Sequence, residues 1–376
     1  MNWPLTIIIA TCVQSVLVIQ LFIEDTARRF SIDEDWLGLL ASAETGMAAL
    51  ISLFVFLKPS MVGRSLLLLS GAMLFAGNAA CALVQTPEQL LIARAVMGGS
   101  AGLICSWAYR EVLNCDDSAH AQGNALMLQS FCLVVSFAVV PHLAERIDSA
   151  LYWVNGGWFL IMLVALFRVQ VSALQPVSST TSLTSFSPLP ALFFFVGVVA
   201  LYASHGAFDT FIAELGSQSG VALTDIGYAM MAACAMGIPA GAMASAIGAR
   251  LGVLRPILLA VISMLAAMVV LALADMQVVI FWVVALAYNF GWVLALPFIV
   301  LAADALNDGG RMASGLLMMQ ALGMATGAII SGVLAADAGI NTALVGVVPI
   351  ALLTSVAAFT LLNRKVAVRV EIYLDR

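Results

Sequence analysis

The sequence predicts an all-α polytopic membrane protein, with twelve transmembrane helices arranged as two pseudo-symmetric six-helix bundles. Three observations lead there. First, 63% of its 376 residues are hydrophobic and only 10% charged, with a mean hydropathy of +1.07; soluble domains run roughly 45–50% apolar and 25% charged. Second, the apolar residues form twelve runs of about 18 to 24 residues, each long enough to cross a ~30 Å hydrocarbon core. Third, the two halves of the chain echo one another. The runs are continuous rather than alternating at period two, which excludes a β-barrel.

In chain order the expected spans are 4–23, 36–57, 65–84, 88–110, 121–142, 151–168, 189–213, 223–246, 253–274, 277–300, 311–335 and 340–362. The first, within MNWPLTIIIATCVQSVLVIQLF, lacks a basic leader and a small-residue cleavage site, so it reads as a spanning helix and not a cleaved signal. Basic residues orient the set. With both termini cytoplasmic, eleven lie inside (Lys58, Arg64, Arg110, Arg168, Arg250, Arg255, Arg311, Arg364, Lys365, Arg369, Arg376) and three outside (Arg28, Arg29, Arg146). That asymmetry follows the positive-inside rule. Trp107, Tyr109 and Arg110 then close the fourth span as an interfacial aromatic belt and an inside arginine.

Gln170 to Pro190, QVSALQPVSSTTSLTSFSPLP, is rich in Ser, Thr and Pro and reads as a flexible linker. The expected organisation is an N-terminal bundle 1–168, a cytoplasmic linker 169–188, a C-terminal bundle 189–363 and a cytoplasmic tail 364–376. The echo between halves is local but consistent. Gly38 and Gly63 are separated as Gly227 and Gly252 are, and ALMLQ (125–129) matches LLMMQ (316–320), with Asp117 and Asp308 at the same offset before them. Parallel six-plus-six repeats are a transporter architecture.

The most informative stretch is Leu90 to Arg110, LLIARAVMGGSAGLICSWAYR. It places Arg94 inside an apolar span, where a charge costs at least ~2.5 kcal/mol and must face protein or water. It also spaces Gly98, Gly99 and Gly102 so that a second helix can press against the backbone. This R-A-x-x-G-G-x-x-G pattern resembles the fourth-helix motif of the major facilitator superfamily. EDTARRFSIDEDWLGLLASAE (24–44) is similar to that family's first outer loop, and GAMASAIGARLG (241–252) to its loop motif in the second half, with Ala249 in the acidic position. The first-half version, KPSMVGR (58–64), keeps only Gly63 and Arg64, and the Gly-Pro motif associated with antiporters is missing around Pro141.

The resemblance implies a monomer that moves a small-molecule substrate, with protons as co-substrate, through the bilayer. Its location would be the bacterial cytoplasmic (inner) membrane. Helices 1, 4, 7 and 10 would line the path. In the seventh span, Tyr202, His205 and Asp209 share a helical face, and an intramembrane His–Asp pair can exchange a proton near neutral pH; alternatively Asp209 is hydrated at the helix end. Glu44 and Arg94 lie at matching depths and can pair, either structurally or so that protonation of Glu44 frees Arg94 for an anion. Proton coupling is thus assigned to Glu44, Asp209 and His205. Substrate binding is assigned to Arg94, Gln14, Gln129, Tyr202, Asn289, Trp292 and Gln320. An amide beside an indole, as at Asn289 and Trp292, suits a solute with polar and apolar parts, although interhelical packing explains the same residues.

Other functions find less support. No nucleotide-binding loop, HExxH or GxSxG signature occurs, so neither an ATP-driven pump nor an enzyme is expected. The cysteines Cys12, Cys81, Cys105, Cys115, Cys132 and Cys234 lie singly, with no CxxC, so no metal site, disulfide framework or cofactor is expected. Nothing basic and aromatic-interleaved points to nucleic acid. The expectation is proton-coupled uptake of a small organic, anionic solute by alternating access. The alternatives are proton-antiport efflux of amphipathic compounds and, more remotely, a non-transporting receptor.

Overall fold

A computed structural model describes residues 3–58, 61–113, 118–147, 149–169, 188–247, 251–306 and 311–374. The linker's 170–187, together with Asp117, Asp308, Arg250 and Arg376, lies outside the described residues. Among the described residues the regular elements are all helices. The first expected span is three pieces: α1 (Trp3–Thr11), α2 (Gln14–Leu17) and α3 (Ile19–Phe30). Then come α4 (Glu34–Leu57), α5 (Arg64–Leu83), α6 (Pro87–Leu113), α7 (Ser118–Ala144) and α8 (Ala150–Arg168). Beyond the linker are α9 (Pro188–Gln218), α10 (Leu223–Ala235), α11 (Gly237–Ile247), α12 (Leu254–Leu273), α13 (Val278–Ala305), α14 (Arg311–Ala338) and α15 (Ile340–Leu374).

Eleven stretches among the described residues are long and apolar enough to cross a membrane, with α10 and α11 sharing one of them. The protein is a multi-pass helical membrane protein. Leu83, Trp153 and Leu273 are among many large apolar side chains left exposed on its flanks, a surface that suits lipid and not water. The first span is absent from the eleven because it is interrupted at Val13 (φ −112°, ψ 12°) and Val18 (φ −103°, ψ 28°). Neither glycine nor proline lies between Cys12 and Val18, so propensity does not break it. Tertiary hydrogen bonds flank the break instead. The Gln14 amide donates to the Ala10 carbonyl at 2.8 Å and to the Gln129 carbonyl on α7 at 3.4 Å, and the Ser15 hydroxyl donates to Glu44 on α4.

Small residues decide which helices meet. Gly98 of α6 packs against the Glu44 carbonyl of α4, and a Cβ at Gly102 would lie 2.6 Å from the Ala48 carbonyl oxygen. On α14, Gly323 and Gly327 press on the α9 backbone between Val199 and Ala203, while Gly38 of α4 meets Gly332 of α14 backbone to backbone. The Ser42 hydroxyl adds a hydrogen bond across that contact, 2.8 Å from the Ala325 carbonyl. Such approaches replace side-chain burial, which gives little between helices already in lipid. At the end of α3, Arg29 donates to the Cys81 and Val84 carbonyls at 3.1 and 3.2 Å. A cation there satisfies carbonyls that the end of α5 leaves unpaired.

Contacts between helices before and after the linker run α4 to α14, α7 to α10, α3 to α9 and, to a smaller extent, α4 to α9. They gather at one end of the molecule. Gly38 meets Gly332, Gly227 meets Phe137 and Pro141, His142 Nε2 lies 2.8 Å from the Tyr228 hydroxyl, and Gln218 bridges Glu214 and Glu34. This is the end that carries the 31–33 turn.

Gly98→Ala and Gly327→Ala each force a Cβ into a neighbouring carbonyl and are expected to destabilise by about 1–3 kcal/mol, the usual cost of overpacking. Gly346→Ala, whose Cβ would meet nothing within 4 Å, is the neutral reference. Unfolding temperatures in detergent check this; equal values for all three would contradict it.

Candidate functional site

Two buried polar groupings occupy the interior. The first forms around Arg94, which is 2% exposed, and Glu44, which is 0% exposed. The two are ion-paired. Glu44 also accepts from the Ser15 hydroxyl of α2, and the Arg94 guanidinium sits over the Phe22 ring of α3, 3.8 Å from its centroid. An arginine so far from water is tolerable only if its charge is matched. Here a carboxylate matches it on one side and a ring face on another.

The second grouping forms along α9. His205 Nε2 lies 3.0 Å from Asp209 Oδ2, and both residues are buried. Asp209 is therefore not at a hydrated helix end; α4, α14 and the first span cover it. Gln20 of α3 lies close to the same carboxylate. The imidazole stacks on the Trp292 indole of α13 at 3.7 Å between centroids, with Tyr202 edge-on to Trp292 at 4.6 Å. Behind them Phe208 stacks on Tyr288 at 3.7 Å, and the Tyr288 hydroxyl donates to Ser204 at 3.3 Å. The i, i+3, i+4 spacing of Tyr202, His205 and Asp209 puts them on one face, and aromatic packing from α13 holds that face rigid.

The remaining residues singled out from the sequence are spread more widely. Gln320 of α14 lies close to Tyr202, beside the α9 grouping. Gln14 reaches the backbone of Gln129, not its side chain, and keeps its own Oε1 unpartnered. Asn289 donates back to Ala285 of its own helix at 3.1 Å, so no hydrogen bond ties it to Trp292. Two residues differ from the sequence expectation. Trp107 is fully buried and Tyr109 packs against the core, so neither forms an interfacial belt. The reason is that α6 lies inside the assembly, against α1, α4 and α5, and continues to Leu113. Ser15, Gln20, Phe22 and Thr45 were not legible as site residues. Serine, threonine and phenylalanine are ordinary in spanning helices, and Ser15 and Gln20 face the two acids from opposite sides of the interruption at Val18.

No metal-binding cluster of His, Cys, Asp or Glu occurs among the described residues. The helices together have the fold of solved membrane transport proteins. In particular, the chain is similar over 96% of its length to the crystal structure of the nucleoside transporter NupG, covering 99% of that chain with a TM-score of 0.72 and 14% identity. A mutant of NupG gives 0.76 at 12% identity, with the same coverage. A bacterial homolog of the human lysosomal transporter Spinster, in an inward-facing and unoccupied conformation, gives 0.70 at 14% identity, covering 96% of both chains. No known family's sequence pattern matches the chain, and no curated protein does. Identities this low carry the fold and leave the substrate open.

Removing one member of the buried pair strands the other. Glu44→Ala or Arg94→Ala is expected to cost about 3–5 kcal/mol, whereas the double substitution Glu44→Gln with Arg94→Gln should cost much less than the sum of its singles. Additive losses in thermal unfolding would show that the two residues do not depend on each other.

Proposed function

We propose that the chain is a secondary active transporter that takes up a small organic solute, anionic in character, across a bacterial cytoplasmic membrane. It works by alternating access of two six-helix bundles flanking the linker, 1–168 and 189–363, with both termini cytoplasmic, and it is sufficient as a monomer. Protons drive it. The observation that carries this reading is that both buried acids meet the same interrupted span, Glu44 through the Ser15 hydroxyl and Asp209 beside Gln20 and across a cavity from Val16 and Ile19. A change of charge on either acid is therefore felt by the helix that touches both halves.

In the proposed cycle, a proton on Glu44 removes the partner that holds Arg94, and the guanidinium turns to a carboxylate or phosphate of the solute. Asp209 and His205 form the second exchangeable pair, with Tyr202 and Trp292 offering aromatic surface to the solute's apolar part. Gln14, Gln129, Gln320 and Asn289 supply amide bonds. Closure of the end carrying the 31–33 turn supports assigning this conformer as closed to the outside. A ligand that binds one conformer better than the other shifts the population by its differential affinity alone.

The solute can be found by thermal-shift screening of the purified protein against a metabolite library near pH ~5.5 and ~7.5, on either side of the histidine range. A ligand at 100 times its dissociation constant stabilises by about 2.7 kcal/mol. Carboxylate or phosphate hits that fade in Arg94→Ala are expected; hits confined to hydrophobic cations would favour export instead.

With that solute in proteoliposomes, Asp209→Asn and Glu44→Gln are each expected to lower proton-driven accumulation at least tenfold while sparing counterflow exchange, since exchange needs no net proton movement. Undiminished accumulation in both variants would remove the assignment of these acids as proton carriers.

A further inference from the structure

A cavity of about 10 Å³ lies where four parts of the fold meet, with Val16 and Ile19 of the first span, Thr45 of α4, Asp209 and Thr210 of α9 and Met324 of α14 among its walls. That is room for about one water-sized particle. Its polar wall is Asp209, Thr45 and Thr210. Asp209 is 6% exposed; its Oδ2 faces His205, and its Oδ1 has no hydrogen-bond partner. The Thr45 hydroxyl donates to the Ala41 carbonyl at 3.2 Å and the Thr210 hydroxyl to the Gly206 carbonyl at 2.6 Å. Both hydroxyl protons are thus committed to their own helices, and only the oxygen lone pairs remain for the cavity.

The wall therefore offers acceptors and no donor. A water molecule there gives two protons but finds nothing to satisfy its own lone pairs, whereas a cation needs only acceptors. Carboxylate and hydroxyl oxygens are hard ligands that suit a hard cation. One carboxylate balances one positive charge. No fixed cation competes for it: Arg94 is committed to Glu44, and the titratable groups facing Asp209 are His205 on α9, Tyr288 on α13 and Cys234 on α10. Val16 and Ile19 also flank the interruption at Val18, and interrupted spans are where transporters hold their coupling ions.

We infer that this cavity is a sodium site, in which Na⁺ and a proton compete for the Asp209 carboxylate, with Thr45 and Thr210 as neutral ligands. The inference rests on the reading of Asp209 as a coupling group and names a second ion for it. Bound there, Na⁺ ties the first span to α4, α9 and α14. A carboxylate attracts the smaller Na⁺ or Li⁺ more strongly than K⁺, because the charges approach more closely.

The test uses the full-length protein in detergent, with thermal unfolding followed at about pH 8 in sodium, lithium, potassium and choline chlorides at equal ionic strength. A saturable rise with Na⁺ and Li⁺, little with K⁺ or choline, is expected. It should disappear in Asp209→Asn, weaken at least tenfold in apparent affinity in Thr45→Val, and persist in Thr354→Val, a threonine on the exposed side of α15. The apparent dissociation constant for Na⁺ should rise as pH falls, because the proton takes the same carboxylate. Equal responses to K⁺ and Na⁺, or a Na⁺ response that survives Thr45→Val at full affinity, overturns the proposal; Thr45→Val decides if Asp209→Asn does not fold. A missing Na⁺ response alongside lost proton-driven accumulation in Asp209→Asn overturns the sodium site and leaves the proton reading standing. Na⁺ binding alongside intact accumulation in that variant overturns the proton reading instead.

Discussion

A guanidinium in the middle of a lipid-spanning helix has to find a carboxylate, and much of this structure follows from how Arg94 finds one. Glu44 reaches it only because α4 and α6 touch backbone to backbone at Gly98 and Gly102. Larger residues at those positions would hold the helices apart, and the charges with them. The pair is thus a packing constraint as much as an electrostatic one. Its cost if broken is the desolvated charge left behind, which exceeds what intact pairing contributes.

The interrupted first span is the second organising feature. A continuous helix would present its polar residues at fixed angles. With irregular backbone at Val13 and Val18, Ser15 meets Glu44 while Gln20 meets Asp209 on the other side of the assembly. One short piece of chain thereby joins groupings that belong to α4 and α6 on one hand and to α9 and α13 on the other. Irregular backbone at membrane depth is tolerated where protein covers it, and Gln14, Ser15 and Val18 are all buried.

Much of the architecture was legible from the amino acids, because a bilayer permits few solutions. Long apolar runs must be helices, and eleven of the twelve expected runs are long apolar helices here. Charged residues inside those runs were legible for the same reason, and the matched depths of Glu44 and Arg94 anticipated a pairing that the geometry contains. The interruption was not legible, since CVQSVLV carries no helix breaker and the break depends on partners distant in sequence. Trp107 was misplaced at an interface because a tryptophan at a helix end reads the same whether lipid or protein covers it. Thr45 and Thr210 carry no sequence signal at all; what sets them apart is which way their hydroxyl protons point.

Part of the contact between α4 and α14 is made of Gly38, Gly332 and the Ser42 hydroxyl on the Ala325 carbonyl. Such a surface has almost no rotamers to freeze on closing or to release on opening. Separating it exposes peptide groups and a single hydroxyl in place of interlocked side chains. A seam of this kind holds two helices close with few side-chain rotamers fixed in doing so.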